Sequence, residues 1–328
     1  MKCPNCDYNQ RRGREGMVCK KCRYDFVFDP QEDEMTDGKF LASVRRASSN
    51  DTYFFTANQL YAAACRRLRP AYAPLLLLVG IGFFAFILWK VERAPLIAKL
   101  AVGGFAVLIL IACYFSLRPR LKRKAWDKHL AHWHQNRPPL KKLIQSPELK
   151  DPPPDCDEPD IYDYGVEQIL ICERDEVVDW LVLNNYHVNT KTAVISENGY
   201  PEYLIPKIRT LLAQTPPPSI YLLHDSPDST PPMITRVRES RIFDLYEADL
   251  TVLGIDPELL PRIKSLRRVR RSIGSDRIAV DMIPLGTLSS MCSCAFAAQC
   301  AFGDFGPHTE GSTSLEFETT CSEDGDGE

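Results

Sequence analysis

The chain has 328 residues, with 40 Lys and Arg against 43 Asp and Glu, for a formal net charge of −3. A near-neutral chain has no overall attraction for nucleic acid or acidic ligands, so such binding has to come from local patches of charge. The first residues, Met1-Lys-Cys-Pro, lack the apolar core of a secretory signal peptide.

Residues 1–28 contain two Cys-x-x-Cys pairs, Cys3 with Cys6 and Cys19 with Cys22. Four thiolates at this spacing are typical of tetrahedral Zn²⁺, and a site with four protein ligands is structural rather than catalytic. The segment resembles a zinc ribbon of the rubredoxin-like kind. Such ribbons bind nucleic acid or protein, or brace a terminus, and the basic residues here leave nucleic-acid, lipid-headgroup and solvated-surface interpretations open.

Residues 36–69 carry two helical patterns, Asp37 to Ala47 and Ala57 to Leu68, which predict a small helical neck. The neck leads into residues 70–117, where two apolar runs, about 70–89 and 96–117, are joined by a short polar link. Each run approaches the roughly 20 residues needed to cross a bilayer core of about 30 Å. The pattern predicts a two-helix transmembrane hairpin; the alternative is a buried helical hairpin in a soluble core.

Basic residues precede the first run and follow the second, and basic flanks stay in the cytoplasm. We therefore expect a two-pass protein of the inner (plasma) membrane with both termini cytoplasmic and the bilayer as a partner. Residues 118–145 predict a basic juxtamembrane helix with tryptophan anchors at the headgroup level. A metal site at its histidines is the alternative, and residues 146–160, rich in proline and acid, predict a linker.

Residues 161–288 alternate between strand and helix patterns. The β-rich run Val166–Cys172, continuously apolar from Ile169, predicts a strand, as do Thr192–Ile195 and Ser219–Leu223. Helices are expected over Asp175–Asn184 and Tyr203–Leu212. This alternation predicts a doubly wound, mostly parallel α/β sheet.

Ligands of such sheets bind beyond the carboxyl ends of the strands. Side chains suited to a divalent cation such as Mg²⁺ are expected at that edge: Glu173, Glu197, His224, Asp225 and Asp228. Within this cluster Glu173, Asp225 and Asp228 are the candidate catalytic residues.

The motifs Ile-Cys-Glu173-Arg, Gly199-Tyr-Pro201 and the turn His224 to Ser229 resemble the Toprim domain, most closely that of the A subunit of topoisomerase VI. In that family a glutamate and two aspartates of an Asp-x-Asp-Pro turn hold magnesium for DNA-strand transesterification. Glu173 matches the glutamate, but His224 and Ser226 stand at the aspartate positions. Three interpretations stay open: capping residues, a retained but inactive site, or metal-dependent phosphodiester chemistry.

A basic run supplies candidate contacts to nucleic acid or lipid, with a solvated surface as the alternative: Arg267, Arg268, Arg270 and Arg271. Residues 289–328 are predicted as a cysteine-containing and then acidic, disordered tail. The whole predicts a membrane-anchored cytoplasmic binding or scaffold protein whose Toprim-like domain is inactive and contacts a protein or nucleic-acid partner. The alternative is a metal-dependent nuclease of the Toprim type.

Overall fold

The computed structural model describes residues 1–10, 16–29, 32–33, 35–66, 121–151, 165–225, 230–243, 245, 248–255, 262–273 and 278–302. Contacts divide the chain into two compact units, one made of residues 1–66 and 122–328 and the other of residues 67–121. The predicted hairpin at 70–117 lies outside the described residues. Among the helices that are described, none combines the length and apolar character needed to cross a bilayer.

The amino-terminal half of the large unit is helical. Its elements are α1 (Asp37–Ala47), β1 (Phe55–Thr56), α2 (Ala57–Arg66), α3 (Arg123–Asn136) and β2 (Leu143–Ile144). Helix α1 begins where the Thr36 hydroxyl accepts a hydrogen bond from the Lys39 N–H, which satisfies one of the free donors of its first turn. The short strands β1 and β2 pair in parallel.

Helix α3 packs against α1 through two buried indoles. The ring of Phe40 stacks on Trp126 and Trp133, with centroids 5.5 and 4.6 Å apart. Both indoles are buried by protein. The expectation that they anchor at the lipid headgroups is therefore wrong, because their apolar surface is already used in the core.

The second half forms an α/β domain. Its elements are β3 (Gln168–Cys172), α4 (Asp175–Leu183), α5 (Tyr186–Thr190), β4 (Thr192–Ser196), a 3₁₀ turn (Glu202–Leu204), α6 (Ile205–Leu212), β5 (Ser219–His224), α7 (Thr230–Glu239), β6 (Leu250–Gly254), a 3₁₀ turn (Lys264–Leu266), α8 (Arg267–Ile273), a 3₁₀ turn (Val280–Met282) and α9 (Leu285–Ala298). The predicted parallel α/β sheet is confirmed.

The four long strands lie in the order β4-β3-β5-β6, and every pair is parallel. Strand β4 lies on one side of β3 and β5 on the other, so the direction in which the sheet grows reverses at β3. A crevice forms beyond the carboxyl ends of strands at such a reversal. Here those ends lead into Glu173 and Asp225.

Helices cover both faces of the sheet. On one face Ile171 and Leu222 join a core with Ile208 of α6 and Val237 of α7. On the other face the Tyr221 ring lies 4.5 Å from that of Phe296 in α9. Alternate residues of each strand face opposite sides, so strands buried on both faces consist of continuous apolar runs.

Helix α9 crosses the predicted boundary between residues 288 and 289. It continues to Ala298 and carries Cys292, which is fully buried. Burial raises the pKa of the Cys292 thiol to about 12. This cysteine is therefore a small apolar core residue rather than a reactive thiol.

Hydrogen bonds join the helical half to the α/β half. The Asn184 side chain exchanges two hydrogen bonds with the Phe54 backbone, at 2.8 and 3.0 Å. The Glu148 N–H donates to the buried Asp179 carboxylate at 2.8 Å. Arg66 donates to the carbonyl oxygens of Ser265 and Met282. The two halves therefore form one packed body.

Candidate functional site

The four amino-terminal cysteine sulfurs converge on one point. They lie within 4.8 Å of one another, and the closest pairs are Cys3 with Cys22 at 3.5 Å and Cys6 with Cys19 at 3.7 Å. These distances are far above the length of a disulfide bond, and all four cysteines are free thiols. Four sulfurs about 2.3 Å from a tetrahedral zinc would be about 3.8 Å apart. The cluster can therefore hold a metal such as zinc.

The two cysteine pairs have the same backbone geometry. The N–H of Cys3 donates to the Tyr8 carbonyl, and that of Cys19 donates to the Tyr24 carbonyl, at 2.9 and 2.8 Å. The residue after each second cysteine is left-handed, with φ of 56° at position 7 and 57° at position 23. The sequence repeats accordingly, as Met-x-Cys-x-x-Cys-x-Tyr at residues 1–8 and 17–24. Each half thus presents two sulfurs from one tight turn.

The second cysteine turn is fixed to α1 by the buried Asp37. Its carboxylate accepts hydrogen bonds from the Tyr24 hydroxyl and from the N–H groups of Val27 and Phe28, at 2.8 to 3.0 Å. The Arg137 guanidinium of the segment after α3 lies 4.4 Å from the Tyr24 ring centroid. The cluster is consequently part of the packed helical half and not a separate appendage.

At the carboxyl edge of the sheet, one arginine bridges two carboxylates. Arg174 binds Asp225 through Nε at 2.5 Å and Nη2 at 3.2 Å, and its Nη2 also lies 2.8 Å from Asp281. The Asp281 carboxylate is fully buried and accepts hydrogen bonds from Thr56 Oγ1 at 2.6 Å and Asn58 Nδ2 at 3.1 Å. This Asp225–Arg174–Asp281 bridge ties the crevice to the start of α2.

Arg174 supplies one positive charge against the two carboxylates of the bridge, which is therefore net negative when both are ionised. Burial raises the pKa of Asp225, and the Arg174 guanidinium offsets part of that rise. Burial acts to lower the pKa of Arg174, but the two carboxylates outweigh it and hold that pKa above its ordinary value. A fixed cation therefore already occupies the side of Asp225 where a metal ion would otherwise compensate its charge.

The other predicted ligands have different partners. The Glu173 carboxylate accepts the Asp225 N–H at 2.9 Å. Glu197 pairs with Arg236 at 2.9 Å, and burial raises the Glu197 pKa while Arg236 acts against that rise. The buried His224 lies so close to Gly254 that a Cβ there would be 1.8 Å from its Nε2.

Within the described part of the chain, the cysteine cluster is the one group of three or more potential ligands close enough to share a metal ion. Asp228 lies outside the described residues. The divalent-cation cluster therefore stays a prediction.

Two residues of this edge escaped the sequence analysis, Arg174 and Asp281. Arg174 directly follows Glu173 at the end of the strand, so the sequence already placed a cation beside the predicted carboxylates and could have indicated an ion pair there. Asp281 had no such signal, because it joins the bridge across 107 residues of chain.

The basic run forms α8, which packs against α2 and buries Val269. Arg267 and Arg268 are exposed, and Arg270 and Arg271 are partly buried. Their role as contacts to nucleic acid or lipid remains a prediction.

Comparison with known proteins gave no match, whether to a family model, to a curated protein or to a solved structure.

Proposed function

We propose that this protein is a membrane-anchored binding or scaffold protein with a structural zinc ribbon and a Toprim-like domain that lacks metal-dependent catalysis. The Asp225–Arg174–Asp281 bridge carries this proposal. A catalytic carboxylate must be free to bind the metal ion, whereas Asp225 is committed to a guanidinium in a two-point contact. His224 and Ser226 at the family's aspartate positions support the same conclusion.

The membrane anchor rests on the charge-free run 70–89, on run 96–117 and on their basic flanks. The described residues on both sides of these runs add support. Arg123 at the start of α3 donates to Asn58 of α2 at 2.6 Å, and its guanidinium lies 5.1 Å from the Tyr61 ring centroid. The residues that flank the apolar runs thus lie in one packed body, as an even number of membrane crossings would require.

The second candidate function is a metal-dependent enzyme acting on phosphodiesters. One observation favours it: Glu173 follows β3 directly, at the point where the sheet reverses, which is where ligands of such sheets bind. On this alternative Asp225 would have to exchange Arg174 for a metal ion.

Calorimetric titration of the full-length protein in detergent with Mg²⁺ and Mn²⁺ distinguishes the two functions. The full chain is needed because Thr56 and Asn58 complete the bridge. We expect no binding tighter than about millimolar for the wild type or for Glu173→Gln, and no cleavage of DNA or RNA. Binding and cleavage that disappear in Glu173→Gln but persist in Glu176→Gln, an acid of the same helix end, would establish the enzyme instead.

The partner can be sought with the same protein. Cross-linking in membranes, comparing the wild type with a Lys21→Glu, Arg23→Glu variant of the exposed ribbon surface, would show whether the ribbon contributes to partner binding. Identical cross-linked species from both chains would remove the ribbon from the proposal.

A further inference from the structure

A cavity of about 310 Å³ lies between the helical half and the α/β half, away from the carboxyl edge of the sheet. It is lined by the end of α1, the segment before β1, helix α2, the end of α4 and the start of α9. Its volume falls at the lower end of the range for small-molecule sites. The carboxyl edge adjoins the first turn of α4, whereas the cavity adjoins Asn184 at the other end of that helix.

Two arginines line this cavity without an acidic partner among the described residues. Arg66 is largely buried and spends Nε and Nη2 on the carbonyl oxygens of Ser265 and Met282. Arg46 is exposed at the end of α1. Burial and the neighbouring charge of Arg46 lower the pKa of Arg66 to about 10, so the Arg66 side chain stays positively charged at neutral pH. Two like charges in one cavity are compensated best by an anion.

Helix α9 begins at the same cavity. Pro284, Leu285, Gly286 and Ser289 line it, and no side chain caps the helix at Pro284. The first N–H groups of a helix lack intrahelical acceptors, and the helix dipole adds partial positive charge there. A Cβ on Gly286 would meet no atom within 4 Å, so the helix start is open on that side. The electrostatics of α9 therefore act in the same direction as the two arginines.

Tyr53 and Phe54 form an accessible aromatic wall, and the buried Trp180 and Tyr186 lie behind it. Tyr53 is 43% exposed, so its ring is open to a ligand. Flat apolar surface beside cations suits a ligand that has both a planar body and an acidic group.

We propose that this cavity binds a small organic anion, with its phosphate or carboxylate group held by Arg46 and Arg66 and its planar body placed against the aromatic wall. A water-soluble metabolite and a phospholipid headgroup share the acidic group, and the experiment separates them. The proposal does not depend on the scaffold function, because no residue of the carboxyl edge lines the cavity.

Phenyl phosphate is the first probe, titrated into the full-length protein in detergent by calorimetry and by tryptophan fluorescence. Inorganic phosphate and phenol are the fragment controls. We expect phenyl phosphate to bind more tightly than either fragment, since it alone meets both the arginines and the aromatic wall. The variant Arg46→Gln should weaken it about tenfold, the loss of roughly one charge-assisted hydrogen bond. Arg45→Gln, the adjacent exposed arginine, should leave binding unchanged.

A second pair of variants tests the helix start. Ser289→Asp places a carboxylate in the cavity wall and should abolish binding, whereas Ser290→Asp adds the same charge on an exposed position outside the wall. Competition by dihexanoyl phosphatidic acid distinguishes a lipid headgroup from a soluble anion as the ligand. If it displaces phenyl phosphate at a concentration below that of phenyl phosphate itself, with the same dependence on Arg46, the ligand is a lipid headgroup. Weaker displacement indicates a soluble anion. No saturable binding up to about 10 mM, or equal losses in both members of a variant pair, would overturn the proposal.

Discussion

Replacement of Asp281 by alanine tests whether the bridge holds the two halves together. The Asp281 carboxylate has no exposed surface and accepts hydrogen bonds from Thr56, Asn58 and Arg174. Its removal leaves the Thr56 hydroxyl and the Asn58 amide without this acceptor. Arg174 then keeps Asp225 as its one carboxylate partner in the bridge. Thr56 is buried and Asn58 and Arg174 are partly buried, so water replaces the lost acceptor only in part.

The structure sets the scale of the loss. Removing one partner of a buried charge pair costs about 3–5 kcal/mol, because the remaining polar groups stay desolvated. Arg174 keeps Asp225, so we expect the lower part of that range, about 3 kcal/mol, for Asp281→Ala. Asp281→Asn keeps one acceptor oxygen and should cost about 2 kcal/mol. Asp127→Ala removes only the exposed pair with Arg123 and should cost less than about 1 kcal/mol.

Denaturant unfolding of the full-length protein in detergent, followed by tryptophan fluorescence, measures these differences. The double variant Thr56→Val with Asp281→Asn should lose less than the sum of the single variants, since both changes remove the same hydrogen bond. A loss for Asp281→Ala no larger than that of Asp127→Ala would refute the reasoning. Strict additivity with Thr56→Val would refute the direct contact.

Three further outcomes are expected. Burial lowers the pKa of His187 from 6.5 to about 4. The free energy of unfolding should therefore fall by about 3 kcal/mol as the pH drops from 6.5 to 4, because protonation favours the unfolded chain. Unfolding of His187→Gln, measured over the same pH range, should lack this part of the loss. Chelation of the metal, or Cys6→Ser, should release about one zinc per chain and expose the first 28 residues to protease, whereas retained protection would show that the cysteine cluster needs no metal. Gly254→Ala should lower the free energy of unfolding, measured by thermal unfolding, by about 1–3 kcal/mol because its Cβ meets the His224 ring. A second substitution, His224→Ala, should restore part of that loss. An unchanged stability of Gly254→Ala would contradict the packing.

The sheet could be predicted because its strands are buried on both faces. The first strand, predicted over Val166–Cys172 with a continuous apolar run from Ile169, begins at Gln168 in the structure. The strand predicted over Ser219–Leu223 extends one residue further, to His224. Helix α1 was predicted with its observed bounds because Phe40, Leu41 and Val44 follow one another at helical spacing. In these places local pattern and tertiary packing favour the same structure.

Helix α9 could not be predicted in the same way. It is rich in small, serine and cysteine residues and has little contrast between its faces, so no helical period stands out from Leu285 to Ala298. The prediction that the indoles of α3 anchor at lipid headgroups was wrong for a related reason. A tryptophan beside basic residues suits a membrane interface and a protein core equally well. The cavity and the bridge depend on contacts between distant segments, such as Phe54 with Asn184, which local sequence does not encode.

The contact between Arg123 and Asn58 has a practical consequence for protein engineering. Because it holds the start of α3 against α2, we expect a linker that replaces the interval 67–121 to span roughly the length of α2, about 15 Å. A flexible linker of about ten residues can span that distance. A chain with such a linker in place of the apolar interval should fold around the same core and behave as a water-soluble protein, which would open the ribbon, the bridge and the cavity to experiments in plain buffer.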